Sequence, residues 1–258
     1  MQALIIAGGR IKADKALFIE TGISKKALLP IGNKPMIQWV VDALMGSKYV
    51  DGLVIVGLKP GSFDDANIPV RYVEDRGNII DNGLAGMAAI EEVEPDYKKF
   101  IVCSSDIPLL TPSLVDEFVE TFQQQEYADV YYPLVEEKVM EARFPGSNRT
   151  FTPMKGGRYA GGDIFFSDRE IAKANQEFLR GLTGQRKNFF AQARMIGFTF
   201  IFKFIFKMMD IHEAAARASK VAGATGRALE YPRAEVAMDV DKLHQYLLVK
   251  EILEEKQA

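Results

Sequence analysis

The stretch LIIAGGR, Leu4 to Arg10, is an apolar run that ends in two glycines and an arginine. A short apolar run bounded by glycine is typical of a strand that is buried on both faces. Glycine lets the backbone approach a ligand closely, and successive N–H groups in such a turn form a concavity that suits phosphate oxygens. A simple tight turn explains the two glycines equally well, so residues further along the chain must decide.

Strand-length apolar runs alternate with helical patterns through the first half of the chain. The strands are expected at ALIIAG, GLVIVG, PVRYVED and KFIVCSS, and the helices at Pro35 to about Gly46, around Leu84 to Glu92, and at PSLVDEFVETFQQQ, where Pro112 suits the first turn. This alternation predicts a three-layer α/β fold, with a mainly parallel sheet and helices on both faces. Ligands bind such sheets at the carboxyl ends of the strands, which places the chemistry after ALIIAG and KFIVCSS.

The pattern changes in the second half. Residues 135–162 are rich in Gly, Pro, Arg and Lys, which predicts an inserted hairpin or lobe within one domain that covers residues 1–258. Beyond it we expect a strand at GDIFFS and a helix from Asp168 to about Leu179. A helix at DIHEAAARASKVAG, a strand ending in AEVAMDV and a C-terminal helix should follow.

Residues 195–222 contain the most apolar stretch, MIGFTFIFKFIFKMM, and are predicted to be helical. The stretch carries two lysines and is shorter than the roughly 20 apolar residues that a membrane span needs. Two interpretations stay open, a core or homodimer-interface helix and a peripheral membrane contact with Lys203 and Lys207 near lipid headgroups.

Composition excludes several classes of function. The chain has 258 residues with 32 Lys and Arg against 35 Asp and Glu, so its charge gives no general reason to expect nucleic acid. Cys103 is the only cysteine, which excludes an internal disulfide framework and a zinc site built from several cysteines. A reducing cytoplasm fits best, and the N-terminus shows no secretory-signal pattern.

The stretch KKALLPIGNKPM, Lys25 to Met36, holds three lysines around two prolines and a glycine, just before an amphipathic run. Together with GGR it resembles the start of the nucleotidyltransferases that join a nucleoside triphosphate to a phosphorylated acceptor, including the sugar-1-phosphate and molybdenum-cofactor types. SSDIPLLTPSLVDEFV (104–119) is similar to their Asp-x-Pro segment. GNIIDNGLAGMAAI (77–90) resembles their base-contacting loop and helix, and AMDVDKLHQY (237–246) their late Asp-Val-Asp segment. The resemblance implies a Rossmann-like fold of the GT-A type.

The resemblance also assigns roles to residues. It implies that Ala7, Gly8 and Gly9 wrap the triphosphate and that Arg10 and Lys26 neutralise its charge. It implies that Asn82 and Gly83 contact the base and the ribose. The first magnesium ligand would be Asp106, and the second would be Asp239 or Asp241. In a strand the last two would point to the same face, so their spacing does not choose between them. The loop after GGR departs from the family pattern, and Lys15, in a second KAL phrase, is a rival of Lys26.

Residues 142–163, ARFPGSNRTFTPMKGGRYAGGD, form a second basic constellation. Its YAGGD phrase resembles a glycine-rich acceptor loop, so the resemblance implies acceptor binding by Arg149, Lys155, Arg158, Gly161 and Gly162. The alternative interpretation of these residues, a solvated hairpin with ordinary surface charge, has the same weight as acceptor binding.

These residues suit nucleotidyl transfer, which needs positioning, cations and a metal clamp. An acceptor phosphate is already largely ionised at neutral pH, so no general base is required, and the only histidines, His212 and His244, lie on predicted helices. Helix capping is the structural alternative for Asp106 and for Asp239 or Asp241.

We therefore expect a Mg²⁺-dependent transfer of a nucleoside monophosphate from a triphosphate to a sugar phosphate, an alcohol phosphate or a lipid-linked phosphate. The alternatives are a metal-dependent glycosyltransferase that uses a sugar nucleotide, and a nucleotide-binding protein without catalytic activity.

Overall fold

A computed structural model describes residues 1–169, 171 and 210–255. The strands are β1 (Gln2–Ile6), β2 (Pro30–Ile31), β3 (Lys34–Pro35), β4 (Gly52–Val56), β5 (Val70–Val73), β6 (Lys99–Ser104), β7 (Val130–Glu136), β8 (Thr152–Met154), β9 (Gly157–Gly161), β10 (Ile164–Asp168) and β11 (Gly226–Glu230). The helices are α1 (Ala16–Thr21), α2 (Met36–Met45), α3 (Ile79–Val93), α4 (Pro112–Gln123), α5 (Glu137–Arg143), α6 (Ile211–Ala222) and α7 (Leu243–Glu255). Among the described residues, Lys26–Leu28 and Ala234–Ala237 form 3₁₀ helices.

The described residues form one nine-stranded sheet in the order β5-β4-β1-β6-β10-β7-β9-β8, with β11 also paired to β7. Neighbours β5, β4, β1 and β6 are parallel. Strands β10 and β9 are antiparallel to their neighbours, and the remaining strands of this sheet all run in the direction of β1. Strands β2 and β3 form a separate antiparallel pair. The α/β fold with a mainly parallel sheet is thus confirmed.

Both faces of the sheet are covered. Ala3 and Ile5 of β1 point into a large core that includes α2 and α4, whereas Leu4 points into a second core with Met87 and Ile90 of α3. Successive side chains of a strand alternate between faces, so a strand covered on both sides must be apolar throughout. This explains the uninterrupted apolar run that opens the sequence.

The chain passes from β1 outward through β4 and β5, then crosses to the other side of β1 to form β6. The carboxyl ends of β1 and β6 therefore flank the point at which the strand order reverses. In open α/β sheets this switch point leaves a crevice for ligands. The segments that follow Ile6 and Ser104 both begin at this crevice.

Helix starts follow their local sequence signals. Thr111 caps α4 by accepting a hydrogen bond from the Leu114 N–H at 3.3 Å, and Pro112 occupies the first turn. Asn78 caps α3 by accepting from the Asp81 N–H at 2.9 Å. These caps fill the orphan N–H positions of a first turn.

Three expectations need correction. Helix α3 begins at Ile79 because Asn78 caps it there, so Asn82 and Gly83 lie in its first turns and not in a loop. AEVAMDV does not end a strand, since Ala234–Ala237 is a 3₁₀ helix and the strand lies earlier, at β11. The short helix α1 was not anticipated from the sequence.

Residues 135–162 contain α5 and the β8–β9 hairpin, and β9 pairs with β7 in the main sheet. The strand expected at GDIFFS is β10, and the helix expected at DIHEAAARASKVAG is α6. Most of the helix expected after Asp168, and the apolar stretch 195–209, lie outside the described residues. Within the part of the chain that the structure describes, no helix has the length and apolarity to cross a membrane.

Candidate active site

The turn after β1 is held tightly by its neighbours. The Ala7 N–H donates to the Val56 carbonyl at 2.8 Å, which extends the β1–β4 pairing by one residue. A Cβ built on Gly8 would lie 2.9 Å from Asp75 Oδ1 and 3.0 Å from Asn82 Nδ2. Only glycine fits here without a shift of these neighbours, so the Gly8 backbone lies directly against polar side chains.

Gly57, at the end of β4, supports the same turn. Its φ is +102°, and a Cβ built on it would lie 2.5 Å from both Cα and N of Gly8. A positive φ and a close backbone approach both demand glycine. We call the following four residues the glycine side of the site: Gly8, Gly57, Asp75 and Asn82.

Asn82 organises the loop after β5. Its Oδ1 accepts from the Arg76 N–H at 2.6 Å, and its Nδ2 donates to Asp75 Oδ1 at 3.0 Å. Hydrogen bonds from the Gly77 N–H and from Asn82 hold the pKa of Asp75 below its usual value. Asn82 is only 4 % exposed, so in this structure it shapes the loop beside Gly8, whereas Gly83 has open space beside its Cα.

The lysine stretch folds back onto this turn. Arg10 and Lys25 form an antiparallel bridge, the Lys26 N–H donates to the Gly9 carbonyl at 3.1 Å, and Lys25 Nζ donates to the Gly57 carbonyl at 2.5 Å. Lys15 lies exposed just before α1. Positive charge therefore lies against the glycine turn, as the sequence suggested, with the guanidinium-bearing Arg10 exposed.

The Lys26 ammonium connects this turn to a group of carboxylates. It donates to Asp106 Oδ2 at 2.5 Å and also to Asp241 Oδ1. Carboxylate oxygens of Asp106, Asp239 and Asp241 all lie within 4.8 Å of one another, and these three residues are called the carboxylate cluster. Both late aspartates thus belong to the group.

The backbone brings these distant segments together. The Val240 N–H donates to the Asp106 carbonyl at 3.0 Å, and the Asp163 N–H donates to the Val236 carbonyl at 2.7 Å. Gln245 Oε1 of α7 accepts from the backbone N–H groups of Asp241 and Lys242. The residues between Ala237 and α7 are thereby fixed beside the end of β6.

Arg149 lies at the cluster as well. Its Nη2 donates to Asp163 Oδ2 at 2.7 Å and to the Gly161 carbonyl at 3.2 Å, and its Nη1 lies 2.5 Å from Asp239 Oδ1. Its side chain is 14 % exposed. Arg149 is therefore the cationic partner of the buried Asp239 and of Asp163, which is partly exposed.

Burial and mutual repulsion perturb these carboxyl groups. Burial, with repulsion from Asp106, raises the pKa of Asp163 to about 7, and burial raises the pKa of Asp239 to about 6 despite Arg149. Burial alone would lower the pKa of Lys26, but Asp106 and Asp241 raise it well above its usual value. The ammonium is thus charged at neutral pH, and the cluster resists further negative charge.

The cluster fits a divalent cation. Asp106 is 8 % exposed, and its Oδ1 is buried without a hydrogen-bond partner among the residues that the structure describes. A buried unsatisfied carboxylate oxygen is rare in native proteins and often marks a site for an ion. Three neighbouring carboxylates are the hard oxygen ligands that Mg²⁺ and similar cations prefer.

Helix capping does not explain Asp106, because Thr111 caps α4. Among the other residues expected to bind the acceptor, local contacts account for Arg158 and for the two glycines. Arg158 Nη1 lies 2.8 Å from Glu137 Oε1 and is half exposed, and Lys155 is exposed in the β8–β9 turn. A Cβ on Gly161 or Gly162 would clash with Tyr132 or Pro133 of β7, so close packing accounts for both glycines.

Two acidic residues of the site were missed as functional candidates. Asp163 ends the YAGGD phrase, and its position just before β10 gave no sign that it would meet Arg149 across the cluster. Asp75 lies two residues after the end of β5, and an acidic residue just after a parallel strand was the available signal.

Comparison with known proteins supports this description. The MobA-like NTP transferase domain model matches residues 3–192. A structure described as a hypothetical transferase from Thermus thermophilus shares 30 % identity at a TM-score of 0.79, covering 95 % of this chain and 98 % of its own. A comparison with curated proteins gives no match.

Two more distant structures share the fold. A CMP:2-keto-3-deoxy-manno-octonic acid synthetase complexed with CTP has 15 % identity and a TM-score of 0.61, covering 99 % of this chain and 100 % of its own. The 2-C-methyl-D-erythritol 4-phosphate cytidylyltransferase from Thermus thermophilus has 12 % identity and a TM-score of 0.54, covering 98 % of both chains. The chain belongs to the family of the MobA-like NTP transferase domain, and it is a nucleotidyltransferase.

Proposed function

We propose that this enzyme transfers a nucleoside monophosphate from a nucleoside triphosphate to a phosphorylated small molecule, with Mg²⁺, and releases pyrophosphate. The observation that carries the proposal is the position of Lys26. Its backbone is bonded to Gly9 of the glycine turn, while its ammonium reaches Asp106 and Asp241. One residue thus joins the proposed phosphate site to the proposed metal site.

In the proposed reaction, an oxygen of the acceptor phosphate attacks the α-phosphorus of the triphosphate. A new P–O bond forms, the bond between the α-phosphorus and the bridging oxygen breaks, and pyrophosphate leaves with that electron pair. The acceptor phosphate is ionised at neutral pH, so the step needs no proton acceptor. The task of the protein is to align the two reactants and to stabilise negative charge.

Each part of the site has a role in that step. The backbone at Ala7, Gly8 and Gly9 approaches the phosphates, and Arg10 and Lys26 neutralise them. Asp106, Asp239 and Asp241 would hold Mg²⁺, which when bound screens the phosphate charges and draws electron density from the reacting phosphorus. Asn82 and Gly83 lie on the first turns of α3, with Asn82 beside Gly8, and base and ribose would be read there.

The donor nucleotide is proposed to be CTP. One structure with this fold is complexed with CTP, and another is described as a cytidylyltransferase. The acceptor is proposed to be a sugar phosphate, an alcohol phosphate or a lipid-linked phosphate, with Arg158 and Lys155 as its outer cationic contacts. A cytoplasmic location is consistent with the only cysteine, Cys103, being a buried free thiol. The homodimer and the peripheral membrane contact remain predictions.

Thermal-shift measurements test the proposal directly. The four ribonucleoside triphosphates and several sugar nucleotides are each added with and without Mg²⁺. The proteins are the wild type, Asp106→Asn and the control Asp96→Asn. The control changes an exposed aspartate that precedes β6, at the end of this strand opposite to the site. A ligand at about a hundred times its Kd adds roughly 2.7 kcal/mol of stability, enough to raise Tm by several degrees.

We expect a Mg²⁺-dependent shift with CTP that the control keeps and Asp106→Asn loses. A pyrophosphate-release screen with phosphorylated acceptors then identifies the second substrate. A shift with a sugar nucleotide and with none of the triphosphates would contradict the proposal and favour glycosyl transfer.

A further inference from the structure

The Lys26 ammonium lies among the carboxylates at the position where a cation is expected. It bonds to Asp106 and Asp241, two of the three residues of the carboxylate cluster, and its side chain is only 14 % exposed. The Lys26 Nζ lies 2.5 Å from Asp106 Oδ2, so a metal ion has no room between these two atoms. A metal ion that took both oxygens would have to displace it.

We propose that Lys26 is an exchangeable internal counter-ion. It neutralises the cluster in the free enzyme and transfers its hydrogen bonds to phosphate oxygens when the metal and the nucleotide bind. Free metal should therefore bind weakly, and metal and nucleotide should each strengthen the binding of the other. This inference rests on the proposed function for the identity of the second ligand.

The two buried cations of the site differ in how they are held. Arg149 contacts the carboxylates of Asp163 and Asp239 and the carbonyl of Gly161, so three groups fix its planar guanidinium. Within the described residues, the Lys26 ammonium has two hydrogen-bond partners, the carboxylates of Asp106 and Asp241. Lysine carries a point charge on a flexible stem, which makes it the cation that can change partners.

The backbone of Lys26 sets the reach of its side chain. Its N–H is bonded to the Gly9 carbonyl, so its Cα stays beside the turn that is proposed to wrap the phosphates. The ammonium can then turn from the carboxylates to the phosphates by rotation about side-chain bonds, without movement of the backbone. Such a rotation keeps the ammonium paired throughout.

Desolvation of the Lys26 ammonium couples metal binding to nucleotide binding. If metal alone displaced Lys26, a largely buried ammonium would lose both charged partners, and an unpaired buried charge is strongly unfavourable. The phosphates of a bound nucleotide supply new partners and remove that penalty. The coupling is reciprocal by thermodynamic linkage, and typical couplings are about 5- to 150-fold in affinity.

The test measures Mn²⁺ binding from the EPR signal of the free ion. Wild type is compared with Lys26→Met, which keeps the length of the side chain but not its charge, and with Lys26→Gln, which keeps a hydrogen-bond donor. The matched control is Lys48→Met. Lys48 is an exposed lysine that follows α2 and forms an ion pair with Glu120. Titrations are made alone and with saturating CTP, without acceptor.

We expect wild type and the control to bind Mn²⁺ weakly alone and at least about tenfold more tightly with CTP. Lys26→Met and Lys26→Gln should bind Mn²⁺ alone at least about tenfold more tightly than wild type and should lose the enhancement by CTP. Mn²⁺ should also raise the Tm of both variants more than that of wild type, which confirms that they fold.

Free-metal affinity that is unchanged or weaker in both folded variants overturns the inference, and a positive thermal shift with CTP would leave the proposed function intact. A different result is tighter metal binding in the variants together with wild-type Mn²⁺ affinity that no triphosphate changes. It would overturn the proposed transfer of Lys26 from carboxylates to phosphates, and it would also count against the proposed function. The two failures are therefore distinguishable.

Discussion

The two halves of the site are built on different physical principles. On the glycine side, polar atoms are paired and the fit is steric, because Gly8 lies between the Gly57 backbone and the Asp75 and Asn82 side chains. In the carboxylate cluster, Asp106 Oδ1 is buried and has no hydrogen bond within the described part of the chain, and the pKa values of Asp239 and of the adjacent Asp163 are raised. The first half is complete in the folded chain, whereas the second has spare coordinating capacity.

This difference separates what folding accomplishes from what a ligand must supply. Steric fit arises as soon as β1, β4 and β5 align their ends. Unsatisfied charge costs stability and is retained only where it serves a function or is compensated by an ion. Substitutions on the glycine side should therefore act mainly through stability and shape, and those in the carboxylate cluster mainly through cation binding and turnover.

The largest expected effect is on turnover. Asp106→Asn keeps the shape of the side chain and removes its charge, and loss of one charge-stabilising group in such a site typically costs about 3–4 kcal/mol of barrier. Pyrophosphate release should fall by more than about a hundredfold, with Asp96→Asn near wild type. Near-normal turnover in Asp106→Asn would show that the cluster is not the metal site.

The second prediction compares two arginines that the sequence treated alike. Arg149→Gln leaves Asp163 and Asp239 without their buried cation, and breaking a buried pair typically costs about 3–5 kcal/mol. Arg158→Gln removes a half-exposed pair with Glu137, which is worth about 1 kcal/mol or less. Urea unfolding at pH 8 with chelator measures both, and equal losses would refute the assignment of Arg149 to the cluster.

The third prediction concerns the glycine side. Gly57→Ala places a Cβ against the Gly8 backbone at a φ of +102°, whereas Gly61→Ala meets only a positive φ of +73° with nothing within 4 Å. Backbone strain of this kind costs about 1–3 kcal/mol, and the clash adds to it only at Gly57. The difference in unfolding free energy between the variants isolates the clash, and no difference would mean that the turn can relax.

The last prediction concerns pH dependence. The pKa of Asp163 is raised from 3.8 to about 7, so folding favours its protonated form. The stability from this group is complete below about pH 4 and is lost as pH rises towards 7. With chelator present, the wild-type Tm should therefore decline between pH 5 and pH 8, and the decline should be shallower in Asp163→Asn. Asp239, with its pKa raised to about 6, supplies the residual slope.

Much of the fold could be predicted from local pattern. The apolar runs that became β1, β4 and β6 are uninterrupted because both faces of the sheet are covered, and Pro112 began α4 as expected. The start of α3 was missed because its cap, Asn78, lies in a polar stretch without apolar periodicity. The end of β11 was missed because the apolar residues of AEVAMDV suggested a strand, whereas its first four residues form a 3₁₀ helix.

The sequence by itself determined the parts that depend on neighbouring residues: the strands and helices, the glycine turn, and the lysine stretch beside it. Only the tertiary structure decided that Lys26, Asp106 and Asp241 meet and that Arg149 pairs with Asp163 and Asp239. These contacts join residues far apart in the chain, and no periodicity encodes them. Their charges interact only because the strand ends converge and exclude water, which is a property of the assembled sheet.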